Sequence, residues 1–222
     1  MGGGPKHLVD NGLQERLRAG GHEVRTEVIA AEGWFLTEIA TGFELHRIVA
    51  DQVRQARELG ELPLVLAGNC NTSSVGALAG LGAQEMGVVW IDAHADFNTP
   101  ETTTSGFLDG MGLSIAVGAC WKAMTEAIPG FRPIPEANVT HIGARDLDPP
   151  EREQLERSGV TVVEAGLIEE RGCKTRCERH WSPTRGRSRG LRSLRPGRAG
   201  LRTRRPGQRV RQARRFNDGT GR

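Results

Sequence analysis

The 222-residue chain has no apolar run of the roughly 18 residues that a membrane helix needs, and so no such helix is expected. Its first residues, MGGGPKHLVD, lack the apolar core of a signal peptide. It has four cysteines (Cys70, Cys120, Cys173 and Cys177), too few to staple a chain of this length. Together these absences predict a reducing, cytoplasmic setting. Acidic residues are nearly missing from one region. Cys173–Arg222 holds 17 Lys and Arg against only Glu178 and Asp218, and residues 1–172 carry the remaining 13 basic and 25 acidic residues. So uneven a split argues for an arm that meets polyanions or for two segments of different origin.

What is present up to about residue 170 alternates between two periodicities. Residues 6–19 place Leu8, Leu13 and Leu17 on one helical stripe. His22–Ile29 alternates like a strand. Gly42–Gly60 puts Leu45, Ile48, Val49, Val53 and Ala56 on one helix face. Leu62–Leu66 reads as a short buried strand, 73–84 as a helix and Gly87–Asp92 as the strongest buried strand. A helix over 110–124, a strand over 139–142, a helix over 149–158, a strand over 160–163 and a new helix from Gly166 follow. This alternation predicts an α/β fold, a mainly parallel sheet between two helical layers. Beyond about Glu170 the periodicity stops, and composition predicts a disordered basic tail. The expected division is residues 1–170 and residues 171–222.

Ligands of such sheets bind beyond the carboxyl ends of the strands. Asp92-Ala93-His94-Ala95-Asp96 stands at such an end. If this segment is extended, residues two apart point the same way, and Asp92, His94 and Asp96 converge. Two carboxylates and an imidazole suit Mn²⁺ best and Zn²⁺ or Fe²⁺ less specifically. The plain alternative is a polar loop that caps the next helix.

These residues resemble the arginase/agmatinase ureohydrolases, and the arginase branch in particular. Asp92–Asp96 and Asn98-Thr99-Pro100-Glu101-Thr102-Thr103-Thr104-Ser105-Gly106 carry the specific part of the likeness. Leu64–Asn71 and the first five residues carry a looser part. The resemblance implies a three-layer α/β/α fold and two bridged Mn²⁺ ions. It also implies a metal-bound hydroxide that attacks the guanidino or amidino carbon of a small substrate, and homo-oligomers. By position, Asp92, His94 and Asp96 would be metal ligands, with Asp96 also at the reacting water. Asn98 and Ser105 would hold the far end of the substrate.

The sequence departs from that pattern in four places. Cys70 replaces a histidine ligand: it is either a soft ligand favouring Zn²⁺ or a buried bystander beside a single remaining metal. Asp109 replaces a proton-carrying histidine, and can shuttle a proton, bind a cationic substrate group or simply face solvent. The strand that normally precedes Met1-Gly2-Gly3-Gly4 is not in the chain, so the sheet is expected to be incomplete at both ends. The late Asp-x-Asp-x-x-Asp-Pro ligand motif is also missing, which would leave a two-metal centre unfinished within this chain and leaves open whether this translated form is active.

The genetic code offers a source for the last difference. Gly190–Pro196 can be encoded by GGACTTCGATCTCTTCGACCC, which read one base later gives Asp-Phe-Asp-Leu-Phe-Asp-Pro. An out-of-frame tail beginning near residues 170–173 explains why acidity and periodicity stop together. The alternative function is a metal-poor remnant or a basic-tailed nucleic-acid binder. The tail has only Trp181 and Phe216 for base stacking, so nucleic-acid binding through it is expected to be adventitious. Cys173, Cys177 and His180 lack the fourth ligand of a zinc module.

Overall fold

The computed structural model describes residues 3–31, 33, 35 and 37–170. All belong to one of the two compact units into which the chain divides, Met1–Gly190. The basic tail, with the readings made of it, lies outside the described residues.

The helical stripe at the start forms two helices rather than one: α1 (Gly3–Asp10) and α2 (Leu13–Ala19). Asn11 folds its amide back onto the His7 carbonyl at 2.8 Å. Gly12 then takes a left-handed φ of 86°, which ends the first helix. Helix α3 (Glu38–Glu58) starts earlier than its apolar stripe suggests, because the Thr37 hydroxyl accepts the Ala40 N–H as a cap. Its buried face (Phe43, His46, Val49, Ala50, Val53) packs on α4 (Ser74–Leu81). The two helices approach closely at glycine. A Cβ added to Gly76 would lie 2.3 Å from the His46 carbonyl oxygen, and one added to Gly80 would lie 2.5 Å from that of Ala50.

Three strands form the sheet: β1 (Val88–Ile91), β2 (Val139–Ala144) and β3 (Thr161–Glu164), in that order and all parallel. Val88 pairs with Val139 and Ile91 with Ile142, while Thr140 pairs with Thr161. Between β1 and β2 lie the short helices α5 (Gly112–Ala116) and α6 (Lys122–Thr125). Helix α7 (Pro149–Arg157) connects β2 to β3, and residues 165–170 are helical again. The single helix expected over 110–124 is interrupted by left-handed Gly118 and Trp121. The core gathers Val75, Phe97, Leu113, Ile115 and Val139, each at most 1% exposed.

Two expected strands are not strands here. His22–Ile29 and Leu62–Leu66 enter no ladder, and Val28 and Leu62 are more than 90% exposed. A strand exists only through a hydrogen-bonded neighbour, and neither segment pairs with the described sheet. Pro63 also removes one ladder donor. An ion pair between Arg25 and Glu61, 2.8 Å long, ties the two segments together at the surface. β1 is likewise not buried on both faces. It is the edge of the described sheet, with Val88 inside but Val89 and Ile91 exposed, Ile91 at 77%.

Candidate metal centre

The segment after β1 is held by the segment after β2. The Asp92 N–H donates to the Ile142 carbonyl at 3.1 Å, and the N–H groups of Arg145 and Asp146 donate to the Ala93 carbonyl at 2.9 and 3.1 Å. Gly143, at φ 101°, permits this contact, since a Cβ there would lie 3.0 Å from the Asp92 carbonyl oxygen. Fully buried His141 on β2 adds a further tie. Burial keeps its ring neutral by lowering its pKa. Its Nε2 lies 2.8 Å from the His94 carbonyl, which requires an Nε2–H donor.

Asp92 and Asp96 converge as expected, but their third companion is Cys70. The ligand atoms of Cys70, Asp92 and Asp96 all lie within 4.8 Å of one another. The Cys70 thiol points at Asp92 Oδ2 from 3.7 Å. His94 does not turn in beside them. The chain bends at Ala93-His94, so strict alternation fails. The His94 ring, 63% exposed, lies between Asp92 Oδ1 at 3.4 Å and Asp146 Oδ2 at 3.7 Å. Asp92 thus has one oxygen toward the thiol and the other toward the imidazole.

Asp96 is shaped for its place. Its backbone is left-handed, φ 52°, a region that aspartate tolerates better than most residues. Its main-chain carbonyl caps α5 by accepting the N–H groups of Leu113 and Ser114 at 2.9 and 3.1 Å. The side chain is only 4% exposed, and Oδ2 has no hydrogen-bond partner. Burial raises its pKa to about 7; the Cys70 thiol opposes the rise, and the Asp92 and Glu151 charges add to it. Burial also drives the Cys70 thiol far upward, as do the nearby charges of Asp96, Asp92 and Asp109.

Asp109 lies behind the cysteine. Its Oδ1 accepts the Asn71 N–H at 3.2 Å, and the Asn71 side-chain amide donates to the Leu108 carbonyl. Asp109 therefore fixes the short turn Cys70–Thr72. Asn98 is buried, and its amide donates to Asp148 Oδ2 at 3.3 Å while accepting from the Thr102 hydroxyl at 3.0 Å. Ser105 is exposed, and its Oγ accepts the Phe107 N–H at 3.2 Å. Sequence reading missed Glu151, which is 3% exposed. Its Oε1 accepts the Phe97 N–H at 2.8 Å and its Oε2 the Asp148 N–H at 3.3 Å, completing a capping box. The Asp148-Pro149-Pro150-Glu151 string is the signal that could have found it.

These residues fit a divalent cation. Donors about 2.0–2.3 Å from a common ion lie about 3–4.5 Å apart, within the spread seen here. A cation would also supply the electrostatic partner that Asp96 Oδ2 lacks. Two carboxylates and a thiol at the carboxyl edge of a parallel sheet define an α/β protein with a candidate metal site at the strand ends.

Comparison with known proteins gives the family. The model of the arginase family matches residues 6–186. Arginase from Brevibacillus brevis is 33% identical over 180 residues, covering 76% of this chain and 60% of that protein. Arginase from Bacillus subtilis is 37% identical over 127 residues, covering 56% and 42%. The crystal structure of the Bacillus subtilis enzyme superposes with a TM-score of 0.69 at 32% identity, covering 77% of this chain and 59% of that one. The Bacillus cereus arginase structure gives 0.70 at 31%, covering 77% and 60%. The chain belongs to the arginase family. Its fold is the arginase-like α/β fold, and it spans about half the length of the curated relatives it matches.

Proposed function

We propose that this chain is a ureohydrolase-type hydrolase that cleaves a C–N bond in a small guanidino or amidino compound. The observation that carries the reading is buried Asp96, its Oδ2 without a hydrogen-bond partner, clustered with Cys70 and Asp92 at the sheet edge. Cys70, Asp92 and Asp96 would hold one cation, and Asp92 with His94 offers the start of a second position. A divalent cation supplies acidity to bound water and orients the substrate carbon beside it.

The protein's own residues do the rest. Asp92, Asp146 and Asp148 place negative charge around the site, which draws a cationic substrate. Asn98, locked by Asp148 and Thr102, gives the 98–105 loop a fixed root from which Ser105 reaches the distal end of the substrate. Asp109 keeps the Cys70 turn in register through Asn71. The two cysteines among the described residues, Cys70 and Cys120, are free thiols, consistent with a cytoplasmic protein. No helix among the described residues is long and apolar enough to cross a membrane.

The test is urea or ammonia release from arginine, agmatine, guanidino acids and formimino compounds, with bound metal measured on the same sample. Metal-dependent release that Asp96→Asn lowers about 100-fold or more is the expected result. A sample with less than one metal per chain, no release and salt-sensitive RNA binding refutes the proposal and favours the nucleic-acid reading.

A further inference from the structure

We propose that Cys70 binds the cation as a thiolate, so that this centre selects zinc-class ions (Zn²⁺, Co²⁺, Cd²⁺) over Mn²⁺. The inference rests on the reading of Cys70, Asp92 and Asp96 as a metal site and names the ion that the site prefers.

Three observations support it. The first is aim. The Cys70 side chain stands beside Gly112, whose added Cβ would lie 3.6 Å from Cys70 Cβ and 3.3 Å from the Trp90 ring. That wall leaves the thiol directed at the carboxylates. The second is rigidity. The Ser74 hydroxyl donates to the Cys70 carbonyl at 2.6 Å, and the next N–H, of Asn71, is fixed on Asp109. A turn tied on both sides holds Sγ where a ligand must be. The third is the company. Buried Asp96, whose Oδ2 has no hydrogen-bond partner, belongs to the same cluster as Sγ. A neutral thiol has one proton to give and points it at Asp92 Oδ2, whereas a cation among the three side chains is met by a donor atom from each.

Ligand type then decides the ion. Thiolate is soft and binds Zn²⁺ at about 2.3 Å, while Mn²⁺ prefers carboxylate, carbonyl and water. The chemistry balances simply. The S–H bond breaks, a sulfur–metal bond forms and the thiol proton goes to solvent.

The experiment is a Co²⁺ titration of the full chain, watched for the sulfur-to-cobalt charge-transfer band and for metal content by mass spectrometry. The expected result is one Co²⁺ per chain with the band present. Zn²⁺ displaces it at equal concentration, and an excess of Mn²⁺ of about 100-fold does not. The band survives in the double variant Cys173→Ser/Cys177→Ser, which removes the tail thiols, and disappears in Cys70→Ser. Cys70→His loses the band and shifts the Zn²⁺/Mn²⁺ preference toward Mn²⁺ by about tenfold or more. A measurement without a substitution guards against misfolded variants: Zn²⁺, and not Mn²⁺, slows alkylation of Cys70 in the unaltered chain. Bound metal with no band, or with Cys70 alkylated at the same rate, overturns the thiolate proposal and leaves the metal site standing. Absence of any bound metal overturns both.

Discussion

Replacing Gly76 with alanine tests the packing that carries Cys70. The added methyl would sit 2.3, 2.8 and 2.9 Å from the carbonyl oxygen, Cα and carbonyl carbon of His46. An ordinary C···O approach is about 3.3 Å or more, so α4 must retreat from α3 by about 1 Å. The obstacle is main chain in the middle of a 21-residue helix, which cannot swing aside like a flexible side chain. Overpacking of this kind costs about 1–3 kcal/mol, with the upper end fitting a backbone clash. Retreat also lengthens the 3.2 Å bond from the Gly76 N–H to His46 Nδ1, at about 1 kcal/mol. Alanine returns about 1 kcal/mol through helix propensity. The net expectation is a loss of about 3 kcal/mol. With a urea m-value of about 2 kcal/mol/M, the unfolding midpoint falls by about 1.5 M, read by circular dichroism at low micromolar protein. Gly4→Ala is the control, since nothing lies within 4 Å of its added Cβ. An unmoved or raised midpoint for Gly76→Ala would refute the claim that these helices meet backbone to backbone. Because α4 follows directly on the Cys70 turn, the same variant should also bind metal more weakly.

Other outcomes follow from single contacts. Glu151→Ala strands the Phe97 N–H and removes a cap, costing about 2–4 kcal/mol, whereas Glu151→Gln keeps an acceptor and costs less; equal losses in thermal melts would contradict the assignment of Phe97 as its partner. His46 is buried and its pKa is lowered to about 4, chiefly by burial, from 6.5. The unfolded ring protonates first as pH falls, so the stability from keeping this ring neutral is complete above about pH 6.5 and is lost as pH drops through 4, about 3 kcal/mol in all. His46→Gln should flatten that part of the stability-against-pH curve. The exposed β1 edge, with Ile91, and the exposed Leu62 and Leu64 should make the chain self-associate as concentration rises. Ile91→Lys should reduce light scattering, and a monodisperse, sharply melting unaltered sample at high concentration would count against this.

β1 and its metal-type carboxylates could be read from sequence because an apolar run stops abruptly at Asp92, and few other structures produce that pattern. The direction of His94 could not, since it depends on a bend at Ala93-His94 that alternation ignores. Cys70 drew notice only through resemblance, because a lone cysteine 22 residues upstream says nothing locally of Asp92. Glu151 and His141 act across 54 and 47 residues of chain, beyond any local pattern. The segments 22–29 and 62–66 have strand-like residues. Alternation reports which faces a strand would show; it does not report whether a neighbour is there to make one.

The left-handed turn at position 96 narrows what can happen there over generations. Glycine would suit the main chain and discard the carboxylate. Glutamate would keep the charge but is a less comfortable occupant of that turn. Asparagine alone preserves both the shape and the side-chain length. One exchange at this point would therefore remove the charge and keep the fold, and a homologue bearing asparagine there is expected to be well folded and to lack whatever the carboxylate does.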